Sequence, residues 1–288
     1  MDVNDWPGRG LSDEELDVAY NVRRKAGERH FAELMTRYRA ESEKAVEGLP
    51  GTPGVVHDPA SGERLDVWGA EPGGEPRPVF VFFHGGYWKA LSRHDSSFMA
   101  RMLHGQGVAT VVPDYTLAPE ATLEEIVRQA RAAVAWVWDH GRAHGLDPDR
   151  IVVGGSSAGG HLAGMTMVGG WQAGLGLPED AVKAAMPFSG LFDVRPLTRV
   201  YVNEWLGLDV ARAAALSPVL VAGERRCPAV IVAAEHDGTG FVEQSRRFQG
   251  MWGGELLIVP ERDHFDVVLD LGDPGTAVSR ALLALIPR

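Results

Sequence analysis

Residues 150–160 read Arg150-Ile151-Val152-Val153-Gly154-Gly155-Ser156-Ser157-Ala158-Gly159-Gly160. Ile151–Val153 is β-branched and apolar on both faces, as an interior parallel strand requires. Ala158–Val168 is rich in small residues and predicts a helix. Between the two, Gly155-Ser156-Ser157-Ala158-Gly159 matches G-x-S-x-G in the strand–turn–helix setting of a nucleophile elbow. So tight a turn needs glycines, because a side chain would collide with neighbouring backbone. The helix that follows aims its first amides at any anion formed on Ser157. A phosphate-binding loop is the competing reading. A Walker loop would need Gly-Lys-Ser/Thr next, and Gly160-His161 stands there instead.

Similar strand runs flank this turn. Val79–Phe83, Val108–Pro113, Val182–Phe188, Ala229–Ala234 and Leu256–Pro260 read as buried strands. Helical periodicity covers Leu123–Ala143, Phe241–Trp252 and Ala277–Ile286. Strands alternating with helices predict an α/β fold with a mostly parallel central sheet and helices on both faces. Upstream, Gly51–Gly54 reads as a turn before candidate strands Val55–His57 and Arg64–Trp68. Earlier still, Ser12-Asp13-Glu14-Glu15 is a capping box. It opens one or two helices that run to about Gly48 with a break near Gly27. Residues 1–50 are therefore expected to be a helical cap on a catalytic core at 55–288, within a single domain spanning 1–288.

The chain has 288 residues, 28 basic and 39 acidic, for a net charge of −11. Such an acidic balance excludes an ordinary nucleic-acid binder, which needs a basic footprint for phosphates. It also argues against docking on an anionic membrane. No run of about 18 apolar residues predicts a membrane span. Met1–Pro7 lacks the positive and apolar regions of a signal peptide, so a cytoplasmic enzyme is expected. Cys227 is the sole cysteine, cannot form an internal disulfide, and sits after Arg225-Arg226 at the entry to a strand.

A serine hydroxyl needs a base, and the base needs an orienting acid. In a sheet of this kind the chain order is Ser, acid, His. Of ten histidines, only His236 and His264 lie well beyond Ser157. His236 follows a strand where the acid belongs, whereas His264 sits in the loop after Leu256–Pro260. His264 is therefore the expected base. Asp237 and Glu235 compete for the acid, with Asp237 preferred as a short side chain beside Gly238. Asp263 is a weaker third candidate, since adjacent side chains seldom point the same way. Gly85 and Gly86, directly after a strand, can bring amides close to a ligand. With the amide of Ala158 they would form an oxyanion hole. His84 is read as structural, with its ring bonded to loop backbone.

His84-Gly85-Gly86-Tyr87-Trp88 resembles the H-G-G-x-W motif of kynurenine formamidases, within the hormone-sensitive-lipase-like α/β-hydrolases. Asp114-Tyr115-Thr116-Leu117-Ala118-Pro119-Glu120 is similar to the D-Y-R-L-A-P-E segment of that superfamily. Gly154–Gly160 followed by His161-Leu162 resembles its elbow. Ala234-Glu235-His236-Asp237 with Phe241 and Gln244-Ser245-Arg246 resembles the acid-bearing segment, which favours Asp237. Ala19-Tyr20-Asn21 resembles the formamidase N-terminus. The resemblance spans Tyr20 to His264 and implies an arylformamidase of tryptophan catabolism, acting on a small formamide such as N-formylkynurenine without a cofactor. The loop Asp237-Gly238-Thr239-Gly240-Phe241 departs from the usual S-P-E-F after the aspartate. A carboxylesterase or amidase acting on another small or secondary-metabolite substrate therefore stays open. A non-catalytic binding homologue, like the plant gibberellin receptors, would have lost the histidine that is present here.

Tyr87, Trp88, Phe188, Asp193, Asn203, Trp205 and Phe265 are candidate substrate contacts. The partner expected is a small formamide or ester, with a homodimer as the candidate assembly and no nucleic acid or membrane. His140 and His144 are spaced for a metal, but no third ligand accompanies them, so no metal site is expected.

Overall fold

The computed structural model describes residues 6–223 and 227–288. Met1–Asp5, which carry the leader reading, and Arg225-Arg226, which precede Cys227, lie outside the described residues. Eight strands form one sheet: β1 (Gly51–Asp58), β2 (Glu63–Trp68), β3 (Arg77–Phe83), β4 (Ala109–Pro113), β5 (Leu146–Ser156), β6 (Val182–Phe188), β7 (Val230–Ala234) and β8 (Glu255–Val259). Their order is β1-β2-β4-β3-β5-β6-β7-β8. β1 and β2 pair antiparallel, as do β2 and β4, and the pairs from β4 through β8 are parallel.

The helices are α1 (Asp13–Tyr20), α2 (Val22–Ala26), α3 (Glu28–Val46), α4 (Ala100–Gly105), α5 (Leu123–His140), α6 (Ala158–Met167), α7 (Asn203–Leu206), α8 (Val210–Ala215), α9 (Pro218–Val221), α10 (Thr239–Trp252) and α11 (Ala277–Leu285). Strand β3 shows why both sheet faces are covered. Val79, Val81 and Phe83 point into the layer containing α5, α6 and α10, with residues such as Ile126, Leu162 and Phe248. Phe80 and Phe82 point oppositely, toward Leu34 and Tyr38 of α3, Met102 of α4 and Leu282 of α11. An apolar run on alternating faces thus feeds two cores, the condition for a doubly covered parallel sheet.

Three local expectations change. Gly51–Gly54 is not a turn but the start of β1, with Gly51 opposite Trp68 and a register shift between Thr52 and Val55. That bulge absorbs Pro53-Gly54, with Gly54 at φ +72°, so the antiparallel ladder survives a turn-like composition. The N-terminal segment contains three helices rather than one or two. Gly27 makes the expected break, and Asn21 makes another by accepting the Arg24 amide through its side chain at 3.0 Å. The long helix α5 ends at His140, and Gly141–His144 is a 3-10 turn. The capping box at Ser12 forms as read.

Candidate active site

Strand β5 delivers Ser157 to the turn before α6. Ser157 sits at φ +58°, ψ −115°, outside the regions an L-residue normally occupies. Its amide donates to the Phe188 carbonyl at 2.8 Å, and its carbonyl accepts from the His161 amide at 3.0 Å. These bonds at both ends of β5–α6 offset the strain of the turn. Glycine is obligatory here for a steric reason. A Cβ on Gly159 would lie 1.9 Å from the Phe83 carbonyl oxygen, so α6 packs backbone against the end of β3.

The loop after β3 abuts the same turn. A Cβ on Gly85 would meet the Ser156 oxygen at 2.9 Å and the Ser157 Cβ at 3.6 Å. The Gly85 backbone is thus in direct contact with the serine. His84 contacts the Gly85 carbonyl through Nδ1 at 3.0 Å, and its ring stacks on Tyr115 at 4.1 Å. Burial pushes the His84 pKa down, which keeps the ring neutral. Sequence reasoning missed Tyr115, whose buried hydroxyl donates to the His84 and Gly85 carbonyls at 3.0 and 3.2 Å. Its position inside the D-Y-T-L-A-P-E segment was the signal available. Tyr87, Trp88 and Leu91 all have positive φ, so loop 85–91 carries backbone strain held by its surroundings.

The loops carrying the candidate acid and base converge from β7 and β8. His264 Nδ1 lies 2.7 Å from Asp237 Oδ1, which also accepts the Gly238 amide at 2.7 Å. The other oxygen, Oδ2, accepts from the Ser189 hydroxyl. Ser189 is fully buried and was not singled out from the sequence, because only the fold brings the end of β6 beside β7. The competing carboxylates go elsewhere. Glu235 accepts the Glu261 amide at 2.8 Å. Asp263 contacts His30 at 2.7 Å and accepts the Phe265 amide at 2.8 Å. The Phe241 ring covers His264 at a centroid distance of 4.4 Å.

The N-terminal helices hold these loops. Lys25 of α2 donates to the Asp237 carbonyl, and Tyr38 of α3 donates to the Phe265 carbonyl. Tyr87 donates its hydroxyl to the Tyr20 carbonyl at 2.6 Å, and burial pushes that phenol far above its ordinary pKa.

Ser157 and His264 open onto one cavity of about 400 Å³. Its walls are mostly apolar: Val22, Phe31 and Met35 from the N-terminal helices, Leu91 and Phe98 beyond the glycine loop, and Tyr201 and Val268 opposite. Gly85, Gly86, Tyr87, Trp205 and Phe265 also line it. The side chains of the remaining substrate-contact candidates are committed elsewhere. Trp88 is fully buried and edge-on to His161 at 5.1 Å. Phe188 packs against Phe82 in the core, with ring centroids 6.5 Å apart. Asp193 is buried against Arg195, with contacts of 2.9 and 2.7 Å. Asn203 ties Leu208 to Thr198 through its amide group. None of the four lines the cavity. His140 and His144 flank the Trp136 ring. Among the described residues no helix is long and apolar enough to cross a membrane.

The BD-FAE family pattern matches residues 65–251, the span from β2 to α10. A kynurenine formamidase of Salmo salar is 30% identical over 244 residues, covering 81% of each chain. This chain belongs to the BD-FAE family, among the kynurenine formamidase-like serine hydrolases. A kynurenine formamidase of Danio rerio is 27% identical over 99% of both chains. The crystal structure of a protein described as a candidate thioesterase, from Silicibacter sp. TM1040, superposes with a TM-score of 0.81 at 29% identity. It covers 94% of this chain and 98% of that one. The kynurenine formamidase-like hydrolase therefore matches relatives over nearly its full length, including the N-terminal helices that wall the cavity.

Proposed function

We propose that this chain hydrolyses a small formamide, with N-formylkynurenine as the representative substrate, through a Ser157–His264–Asp237 triad and an acyl-enzyme. One observation carries the reading: His264, held 2.7 Å from buried Asp237, opens with Ser157 onto one apolar cavity. Relatives named kynurenine formamidases supply the substrate class. In this mechanism Ser157 Oγ attacks the formyl carbon while His264 Nε2 takes its proton. Asp237 holds the Nδ1–H tautomer and stabilises the imidazolium. The amides of Gly85, Gly86 and Ala158 receive the developing oxyanion, each such donor being worth roughly 3 kcal/mol. Collapse breaks the C–N bond, and His264 returns the proton to the leaving amine. Water, deprotonated by His264, then releases formate and restores the Ser157 hydroxyl.

Residues 1–288 act in this proposal as one catalytic unit, with α1–α3 as its cap. Comparison of kcat/KM for N-formylkynurenine and for short p-nitrophenyl esters tests the substrate class. A strong preference for the formamide supports it. A preference for esters of longer acyl chains would make the chain a carboxylesterase using the same residues. Failure of a fluorophosphonate probe to label Ser157 in folded protein would remove the hydrolase reading altogether.

A further inference from the structure

At the C-terminal end of α6, away from Ser157 at its N-terminus, another cavity of about 430 Å³ lies between α5 and the segment from α8 to α9. Arg131, Met165, Val168, Trp171, Leu216 and Val221 form most of its wall. We propose that this groove binds a small carboxylate borne on an apolar or aromatic body, with Arg131 as its counter-ion.

A guanidinium has five N–H donors and carries its charge at every working pH. Nε and Nη2 of Arg131 share one acceptor, the Met165 carbonyl, at 3.3 and 3.2 Å. Among the described residues no carboxylate pairs with it. Glu124, which lines the same groove, spends both oxygens on Arg212 at 2.7 and 2.9 Å. The Arg131 guanidinium lies 5.5 Å from the Trp171 ring centroid, a cation–π contact that holds it beside an aromatic face. Burial with no compensating anion lowers its pKa to about 10. A cation so desolvated gains more from a ligand anion than an exposed, hydrated one does.

The shape of the ligand follows from the rest of the wall. The free edge of a guanidinium matches a carboxylate in a two-point contact. Val168, Leu216 and Val221 offer no further donors from their side chains, so the part of the ligand that meets them is apolar. Among the described lining residues inorganic phosphate would find one cation, Arg131. The groove is also separate from the reacting groups. Met165 lies eight residues along α6 from Ser157, or about 12 Å of helix, and no residue lines both cavities.

The test is a fluorine NMR titration of the full-length protein with 4-fluorobenzoate, 4-fluorobenzamide and inorganic phosphate. Wild type is expected to bind 4-fluorobenzoate with millimolar affinity. Loss of a charge-assisted pair should weaken binding about tenfold or more in Arg131→Met. Arg131→Lys should recover part of it, and the neutral benzamide should bind wild type as weakly as benzoate binds Arg131→Met. Ala215→Trp fills the groove from an exposed position. It should abolish binding while leaving Arg131 and the fold intact. Equal binding by Arg131→Met and wild type, equal binding of benzamide and benzoate, or unchanged binding in Ala215→Trp would each overturn the proposal. Displacement of 4-fluorobenzoate by phosphate at matched concentration would also overturn it, by making the groove a general anion site.

Discussion

Tyr38 of the third helix donates its hydroxyl to the carbonyl of Phe265, the residue after His264. A side chain near the N-terminus thereby fixes the backbone that aims the candidate base. Lys25 does the same for the acid loop through the Asp237 carbonyl, so the cap is bonded to both loops. Tyr38→Phe keeps the ring in its core and removes only the bond. The expected cost is about 1 kcal/mol of stability, together with a fall in kcat at nearly unchanged KM. Urea unfolding and steady-state kinetics on the same preparation check it. Unchanged kcat with lowered stability would leave the cap a purely structural element.

Asp237→Asn should leave the fold intact and remove the charge that fixes the His264 tautomer. By analogy with serine proteases, kcat should fall by roughly 10⁴. Ser189→Ala removes the donor to the second oxygen of the Asp237 carboxylate and should cost less, about tenfold. Glu235→Gln is expected to be neutral, because that side chain bonds only the loop at Glu261. Comparable losses in all three variants would show that the acid was misassigned.

Gly85→Ala should be severe. Its Cβ would sit 2.9 Å from the Ser156 oxygen, so the loop must retreat from Ser157. Displacing amides from a developing oxyanion costs about 10²–10³ in kcat. A measured kcat near wild type, with normal thermal unfolding, would remove Gly85 from the proposed hole.

Acid lability should trace in part to His161. The ring is fully buried and bonded to the Leu216 carbonyl at 2.8 Å, and burial lowers its pKa to about 4. The unfolded chain binds this proton below about pH 6.5 while the folded one does not. Stability is therefore complete above pH 6.5 and falls as pH drops toward 4, by up to roughly 3 kcal/mol. Urea midpoints between pH 7 and 4.5 should drop less steeply in His161→Gln than in wild type. Parallel curves would mean that other groups dominate acid unfolding.

Much of this architecture was legible in the chain. Val182–Phe188 reads as a strand and forms one with the same limits, because a buried parallel strand leaves a nearly continuous apolar run, broken here by Lys183 near its start. The elbow and the glycine loop were legible for a different reason, since their backbones approach so closely that only glycine fits. The substrate wall was less legible. Trp88 and Trp205 look alike as aromatics, yet one is core and the other lines the cavity. Gly51–Gly54 misled because pairing with β2 overrode local turn composition.

The sequence by itself determined the order of the eight strands and of the longer helices between them, the serine with its turn, and the two histidines eligible as base. Those are local properties, set by periodicity, steric exclusion and chain order. The sequence ranked Asp237 above Glu235 and Asp263, and the tertiary structure decided the contact, because β7 and β8 deliver Asp237 to His264 and turn the other two elsewhere. It also decided that Ser189 supports Asp237 and that Tyr38 and Lys25 hold both loops. The reason is physical: a hydrogen bond needs two groups within about 3 Å in the right direction. Residues 27 to 227 positions apart meet that condition only once the sheet is assembled.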